Sequence, residues 1–281
     1  MLKVLQPGFF STIQDLGRYG FRDIGVPVSG VMDSYSAQFA NALLGNAKGS
    51  AIIEMTMLGV KFQFLEPTII AISGALMNPK LNDEPVSQNK LIHIQPNDVL
   101  HFANVKKGFR TYLAVKGGFK AETILGSRSM YPSVTTQSIL KKDDYIIYEP
   151  FQGVEEALSK VKYQDSHLES NVLEVFKGVE FDKLSENQKQ QLFSNGFSVS
   201  KNNNRMAYQL EPKLENSLKS ILSSPVLPGT VQLTPNGNLI VLMRDCQTTG
   251  GYPRVLQLTE KSINVLSQKT LGNTIKFRLK E

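Results

Sequence analysis

The densest run of reactive side chains is Asp245-Cys246-Gln247-Thr248-Thr249-Gly250-Gly251-Tyr252-Pro253, with Arg244 just before it. An acid, a thiol, an amide and two hydroxyls precede a glycine pair, which lets a ligand approach the backbone and can form an anion-binding nest. The alternative is a polar hairpin loop. A second constellation, Gln14-Asp15-Leu16-Gly17-Arg18, offers an amide, a carboxylate and a guanidinium. Arg18 is suited to grip a carboxylate or phosphate bidentately, or Asp15 and Arg18 pair with each other and pin a loop. Ser29 and Asp33 frame a third, Ser29-Gly30-Val31-Met32-Asp33. They either orient a polar substrate or cap a helix, whose N-terminus is in turn suited to anions. Arg205 follows three asparagines and either reaches a ligand or closes a strand end. Glu54 interrupts an apolar strand and is either outward-facing or a buried acid with a partner. Cys246 has no local histidine signature, and a lone cysteine ending a buried strand behaves as a small hydrophobe.

The elements that must position these groups are mostly strands. Residues 239–243 are a buried apolar run that delivers Arg244 and the polar loop to its end. Asp33 is a natural N-cap, followed by apolar residues at helical spacing until Gly45-Asn46. Residues 11–18, with the glycines and proline up to Gly30, read as a long shaped loop. Further strands are expected at 3–5, 51–57, 61–64, 68–73, 91–94, 99–102, 111–115 and 145–148. Short runs of this kind between turn residues indicate a barrel or sandwich. Residues 151–170 read as a linker or surface helix. The strand pattern then resumes, with helices expected near 183–193 and 260–266. Leu173-Glu174-Val175-Phe176-Lys177-Gly178 echoes Leu2-Lys3-Val4-Leu5-Gln6-Pro7-Gly8, a faint sign of duplication where a second domain would begin.

With 281 residues, 41% hydrophobic and 20% charged, the chain has room for one large or two modest cores. One cysteine excludes an internal disulfide, and three scattered histidines do not make a metal site of the usual spacing, so no metal ligands are assigned. The net charge of +6 is dispersed, without the aromatic-interleaved basic stripe of a nucleic-acid binder. The first residues lack an apolar targeting core, and no apolar run reaches the roughly 20 residues of a membrane span. A cytoplasmic protein bound to neither nucleic acid nor membrane is expected. No Gly-x4-Gly-Lys-Ser/Thr phosphate loop occurs.

Together, Gln14 to Arg18, Gly25 to Asp33, Asn41-Ala42-Leu43-Leu44-Gly45-Asn46, Glu54-Met55-Thr56, Asn204-Arg205-Met206 and Gln247 to Pro253 stand in the order of a known family. The chain resembles, end to end, the biotin-dependent carboxyltransferase-like family, also called allophanate hydrolase subunit 2-like. The resemblance implies a mainly β fold with a few short helices, built as two cyclophilin-like β-barrel domains, expected at 1–165 and 166–281. It implies the C subunit of an ATP-dependent 5-oxoprolinase, inactive alone, that opens 5-oxoproline to L-glutamate with subunits A and B. ATP with magnesium would be shared with a partner subunit. Phosphorylating the lactam oxygen makes a resonance-stabilised amide electrophilic, and cationic donors stabilise the transferring group. On that reading Asp15, Arg18, Asp33, Arg205 and Arg244 are catalytic. Gln14, Ser29, Gln247, Thr248, Thr249, Gly250, Gly251 and Tyr252 bind substrate. The family also includes a regulatory protein that antagonises a kinase inhibitor, and carboxyltransferases that act on urea or a similar amide with a biotin carrier. This chain has no Ala-Met-Lys-Met biotin-attachment motif, so no covalent biotin is expected on it. It departs from the family at Met130 to Gln137, where relatives carry a glycine-rich stretch, and at Ala207 and Gly178-Val179.

Overall fold

The computed structural model describes residues 1–153 and 162–280. Two compact units emerge, one from Met1–Arg18 with Ser29–Leu168 and one from Tyr19–Val28 with Glu169–Glu281.

The first unit is built on two antiparallel sheets. The five-stranded sheet runs Phe10–Gln14, Ile52–Thr56, Lys107–Val115, Thr68–Leu76, Leu91–Ile94. The six-stranded sheet runs Tyr145–Ile146, Leu2–Gln6, Lys61–Phe64, Val99–His101, Lys80–Leu81, Glu84–Pro85. Side chains alternate across a strand, so each long strand of the five-stranded sheet serves two cores. Ile13, Ile53, Met55, Ile70, Ile72, Leu113 and Val115 pack with Leu2, Val4, Phe62, Phe64 and Leu100 of the other sheet. On the opposite face Ile52, Ile69, Ala71, Tyr112 and Ala114 pack with Ala37, Ala40 and Leu44, on and just after the helix Ser34–Leu43. Both faces are therefore dry, and any polar side chain on these strands must find its partners inside the protein.

That constraint corrects the expected loop at 11–18. Phe10–Gln14 is a strand paired along its length with Ile52–Thr56, and Ser11, Thr12 and Gln14 are buried in it. Glu54, outward-facing by default, is a buried acid on the neighbouring strand.

The second unit is a closed seven-stranded barrel in the order Val172–Lys177, Arg254–Leu258, Thr230–Leu233, Leu239–Leu242, Ala207–Glu211, Phe197–Asn203, Thr274–Leu279. Six pairings are antiparallel, and the parallel pairing of Val172–Lys177 with Thr274–Leu279 closes the ring. Closure removes the sheet edges that would otherwise need protection. Leu173, Val175, Val199, Tyr208, Leu210, Val231, Leu239, Val241 and Ile275 are among its buried residues. Helix Glu186–Ser194 starts with a capping box between Ser185 and Gln188, and helix Glu260–Ser267 is capped by Thr259. The expected linker at 151–170 lies partly outside the described residues; its far end includes the short helix Ser166–Glu169. Among the described residues no helix is long and apolar enough to cross a membrane.

Candidate functional site

The residues nominated from the sequence fall into two groups, one in each unit. In the first unit, strand Phe10–Gln14 delivers Gln14, Asp15 and Arg18 to one strap, residues 127–130. Asp15 Oδ1 accepts from Gly17 N (2.8 Å), Ser127 Oγ (2.6 Å) and Ser129 Oγ (2.7 Å). Its Oδ2 accepts from Arg128 N at 2.6 Å. Arg18, fully buried, donates from Nη2 to Ser129 O at 2.5 Å. Gln14 donates from Nε2 to Thr12 Oγ1 and to Met130 O. A carboxylate accepting four hydrogen bonds organises the loop around it.

Ser29 and Gly30 return against this turn. A Cβ on Gly30, whose φ is +90°, would lie 2.8 Å from Leu16 C and 2.9 Å from Gly17 N, so only glycine fits there. Ser29 itself holds φ 56°, an uncommon conformation for a residue with a side chain.

Asp33 is the N-cap of Ser34–Leu43, accepting from Ser36 N at 3.1 Å. Its Oδ2 also receives Ser36 Oγ (2.5 Å) and faces His167 Nε2 at 2.9 Å. Ser36 Oγ lies 3.3 Å from that same Nε2 and 2.7 Å from Tyr163 Oη. A serine relay needs the acid and the hydroxyl on opposite ring nitrogens. Here both meet Nε2, so the arrangement is a buried clasp and not a nucleophile triad. Asp33 N donates to Tyr112 Oη, which donates to Glu54 Oε2, each at 2.8 Å. Glu54 Oε2 also receives Met32 N, and Arg110 Nε stands 3.7 Å from its Oε1. Burial first, then the Glu54 and Asp33 charges, pushes the Tyr112 hydroxyl well above its ordinary value. Burial does the same to Tyr163. Neither phenol is available as a base.

In the second unit Arg205 is spent on Asp245, with Nε to Oδ2 at 2.8 Å and Nη2 to Oδ1 at 3.0 Å. This buried fork matches a planar guanidinium to a carboxylate. Arg244 makes a similar two-point pair with Glu260 at the start of helix Glu260–Ser267. Thr248 offers its carbonyl to Arg22 Nη2 and to Val226 N, each at 3.1 Å. Arg22 also donates to Val226 O. Thr249–Gly250 forms a short ladder with Ser224–Pro225, and Gly251 O accepts from Ile221 N. Thr249 and Tyr252 face solvent. Cys246 is fully buried, and burial raises its thiol to about 11, so it is packing and not a nucleophile.

Several buried polar atoms bond to no protein group among the described residues, neutral amides and hydroxyls as well as guanidinium nitrogens of Arg22, Arg128 and Arg244. Gln247 Oε1 and Gln232 Nε2 are buried and bond to no protein group among the described residues. Gln232 Nε2 lies 2.5 Å from where a Cβ on Gly250 would stand, so the glycine leaves that donor its room. Gln14 Oε1 and Ser29 Oγ are in the same condition in the first unit. Each such atom costs about 1–3 kcal/mol unless something bonds to it. A carbonyl and an amide N–H₂ are the functions that an amide group, which both donates and accepts, can complement. Arg205 and Arg244, the nominated arginines of this unit, are each paired with a carboxylate. Among the described residues no group of three or more His, Cys, Asp or Glu is placed to hold a metal ion.

Sequence reasoning missed His167, Tyr163, Ser127, Ser129, Arg22 and Gln232. His167 stands 134 residues from Asp33, and Ser129 stands 114 from Asp15, so no local pattern links them. Gln232 had a signal, an amide inside the strand Thr230–Leu233, of the kind that singled out Glu54.

A carboxyltransferase domain model, subdomains A and B, matches residues 24–279. The 5-oxoprolinase C subunit of Escherichia coli (strain K12) is 30% identical over 283 residues, 99% of this chain and 90% of that protein. The urea amidolyase of Lachancea kluyveri is 45% identical over 130 residues, 46% of this chain and 7% of that protein. The crystal structure of the K. lactis urea amidolyase superposes with a TM-score of 0.86 at 29% identity, covering 98% of this chain and 18% of that one.

Proposed function

Because this chain belongs to the carboxyltransferase domain family, subdomains A and B, we propose that it serves as the C subunit of an ATP-dependent 5-oxoprolinase. It would act with subunits A and B on 5-oxoproline, yielding L-glutamate. The observation that carries this reading is the span of the match: 99% of this chain against 90% of the Escherichia coli protein, with little left over on either side.

The chemistry of the unspent groups supports it. A lactam presents one N–H and one C=O on the same edge, and Gln247 Oε1 and Gln232 Nε2 are an acceptor and a donor that suit them. Their task is to bind and orient the ring, which lowers the entropic part of the barrier. Thr249 and Tyr252, exposed beside them, would contact the rest of the substrate. Nucleotide and magnesium are assigned mainly to the partner subunits, because the arginines that would clamp phosphate here already hold carboxylates.

The test is glutamate formation from 5-oxoproline and ATP, with this chain supplied or withheld in the presence of subunits A and B. Turnover only in the complete mixture is expected. No turnover, together with a stable complex with the B subunit alone, would favour the regulatory role. A second reading rests on the local 45% identity to urea amidolyase, namely carboxyl transfer to urea or a similar amide. It requires a biotinylated carrier, and urea-dependent release of the carboxyl group from that carrier would distinguish it.

A further inference from the structure

The strap that holds Gln14, Asp15 and Arg18 has a second face. There, a cavity of about 300 Å³ opens within the first unit. Its floor is apolar, made of Ile13, Met130, Leu140 and Ile146, all of them core residues. Its wall includes Arg128, whose Nε is buried and bonds to no acceptor among the described residues.

The other charges around the cavity are already engaged. Lys120 pairs with Glu149 at 3.3 Å and donates to Gly117 O. Glu122 receives Thr136 N, and Asp144 receives Lys141 N at 2.7 Å. Among the described residues, Arg128 is thus the lining cation paired with no carboxylate. A buried guanidinium N–H without an acceptor is costly, and an apolar floor beside it rewards a ligand with a hydrocarbon body.

We propose that this cavity is a binding site for a small monocarboxylate with a compact apolar body, its carboxylate on Arg128 and its hydrocarbon on Met130, Leu140 and Ile146. The volume suits an acid of about ten non-hydrogen atoms or fewer, at the low end of small-molecule pockets. The cavity is lined in part by Met130 and by Thr135 to Gln137. It is also coupled to the nominated residues through the backbone of the strap. Arg128 N donates to Asp15, Met130 O accepts from Gln14, and Ser129 O accepts from Arg18. The proposal does not depend on the 5-oxoprolinase reading.

Calorimetric titration of the full chain with 3-methylbutanoate and benzoate tests it, with the neutral 3-methylbutanamide and benzamide as matched controls. At least one acid should bind saturably, at least tenfold more tightly than its amide, and Arg128→Met should weaken the acid at least tenfold while leaving the amide unchanged. The acid-against-amide comparison uses the unaltered protein, so it stands even if the variant folds poorly. Absence of saturable binding by both acids, equal binding of acid and amide, or an acid affinity indifferent to Arg128→Met in a folded variant would overturn the assignment.

Discussion

Asp15 and Asp245 are both 8% exposed, one in each unit, and they bury a charge in opposite ways. Asp15 is surrounded by neutral donors, two serine hydroxyls and two backbone N–H groups, gathered from Gly17 and from 127–129. Asp245 meets a full positive charge, the Arg205 guanidinium, through two parallel bonds. The first arrangement spreads one charge over many dipoles and so organises a loop. The second cancels one charge with another and so locks two strand ends. Both acids have their bonding partners, which turns attention to the neutral amides of the second unit, Gln232 and Gln247.

The comparison breaks most visibly when each acid is removed. Asp245→Ala leaves the Arg205 guanidinium without its carboxylate in a buried position, and loss of one partner of such a pair costs about 3–5 kcal/mol. Asp15→Ala leaves only neutral donors, two of which are hydroxyls free to rotate toward other acceptors, and should cost about 2–3 kcal/mol. Urea unfolding of the two variants under one condition checks the order. Equal losses, or a larger loss for Asp15→Ala, would show that the charge count at the two sites does not govern their energetics.

The next effect is on activity and sharpens the contrast between spent and unspent groups. Gln232→Leu and Gln247→Leu should each lower glutamate formation in the complete assembly about 100-fold, a barrier increase of about 2.7 kcal/mol. Stability should hold or rise, because each change removes a buried polar atom with no protein partner. A structural role predicts the reverse pattern, with melting temperature and activity falling together.

The sequence carried the strands well where burial is one-sided or the run is apolar. The structure has strands at Lys61–Phe64 and Leu91–Ile94, as read from short runs between turn residues, and Asp33 caps a helix as expected. Phe10–Gln14 was illegible because Ser11, Thr12 and Gln14 look like loop residues, yet they occupy a strand covered on both faces. Glu54 was undecidable for the same reason: its partners, Tyr112 and Arg110, lie on a strand more than 50 residues away. For the site, the sequence nominated segments and weighted their charges. Arg205 and Arg244 are reactive in isolation, and only the fold reveals that Asp245 and Glu260 have already claimed them.

The smallest effect concerns a third carboxylate, which tests whether pairing with arginine leaves a signature in pH. Glu180 receives Arg254 Nε (3.0 Å), Nη2 (2.9 Å) and backbone N–H (2.9 Å). The bonded guanidinium holds this carboxyl below its ordinary value of 4.5. The folded state therefore binds fewer protons than the unfolded state in that range, and stability rises with pH there. The contribution is fully present above about 4.5 and is lost as pH falls through the depressed folded value. Glu174 and Asp165 are depressed as well, by Arg278 and Lys107, but these pairs lie at the surface, where solvent screens them and little stability depends on them. Glu180→Gln should consequently flatten the acid limb of the unfolding midpoint while leaving its neutral-pH slope unchanged. If the variant lost stability in parallel with the parent at every pH below 4.5, the Arg254 pair would not be what titrates, and the likeness drawn between Glu180 and Asp245 as arginine-neutralised acids would fail with it.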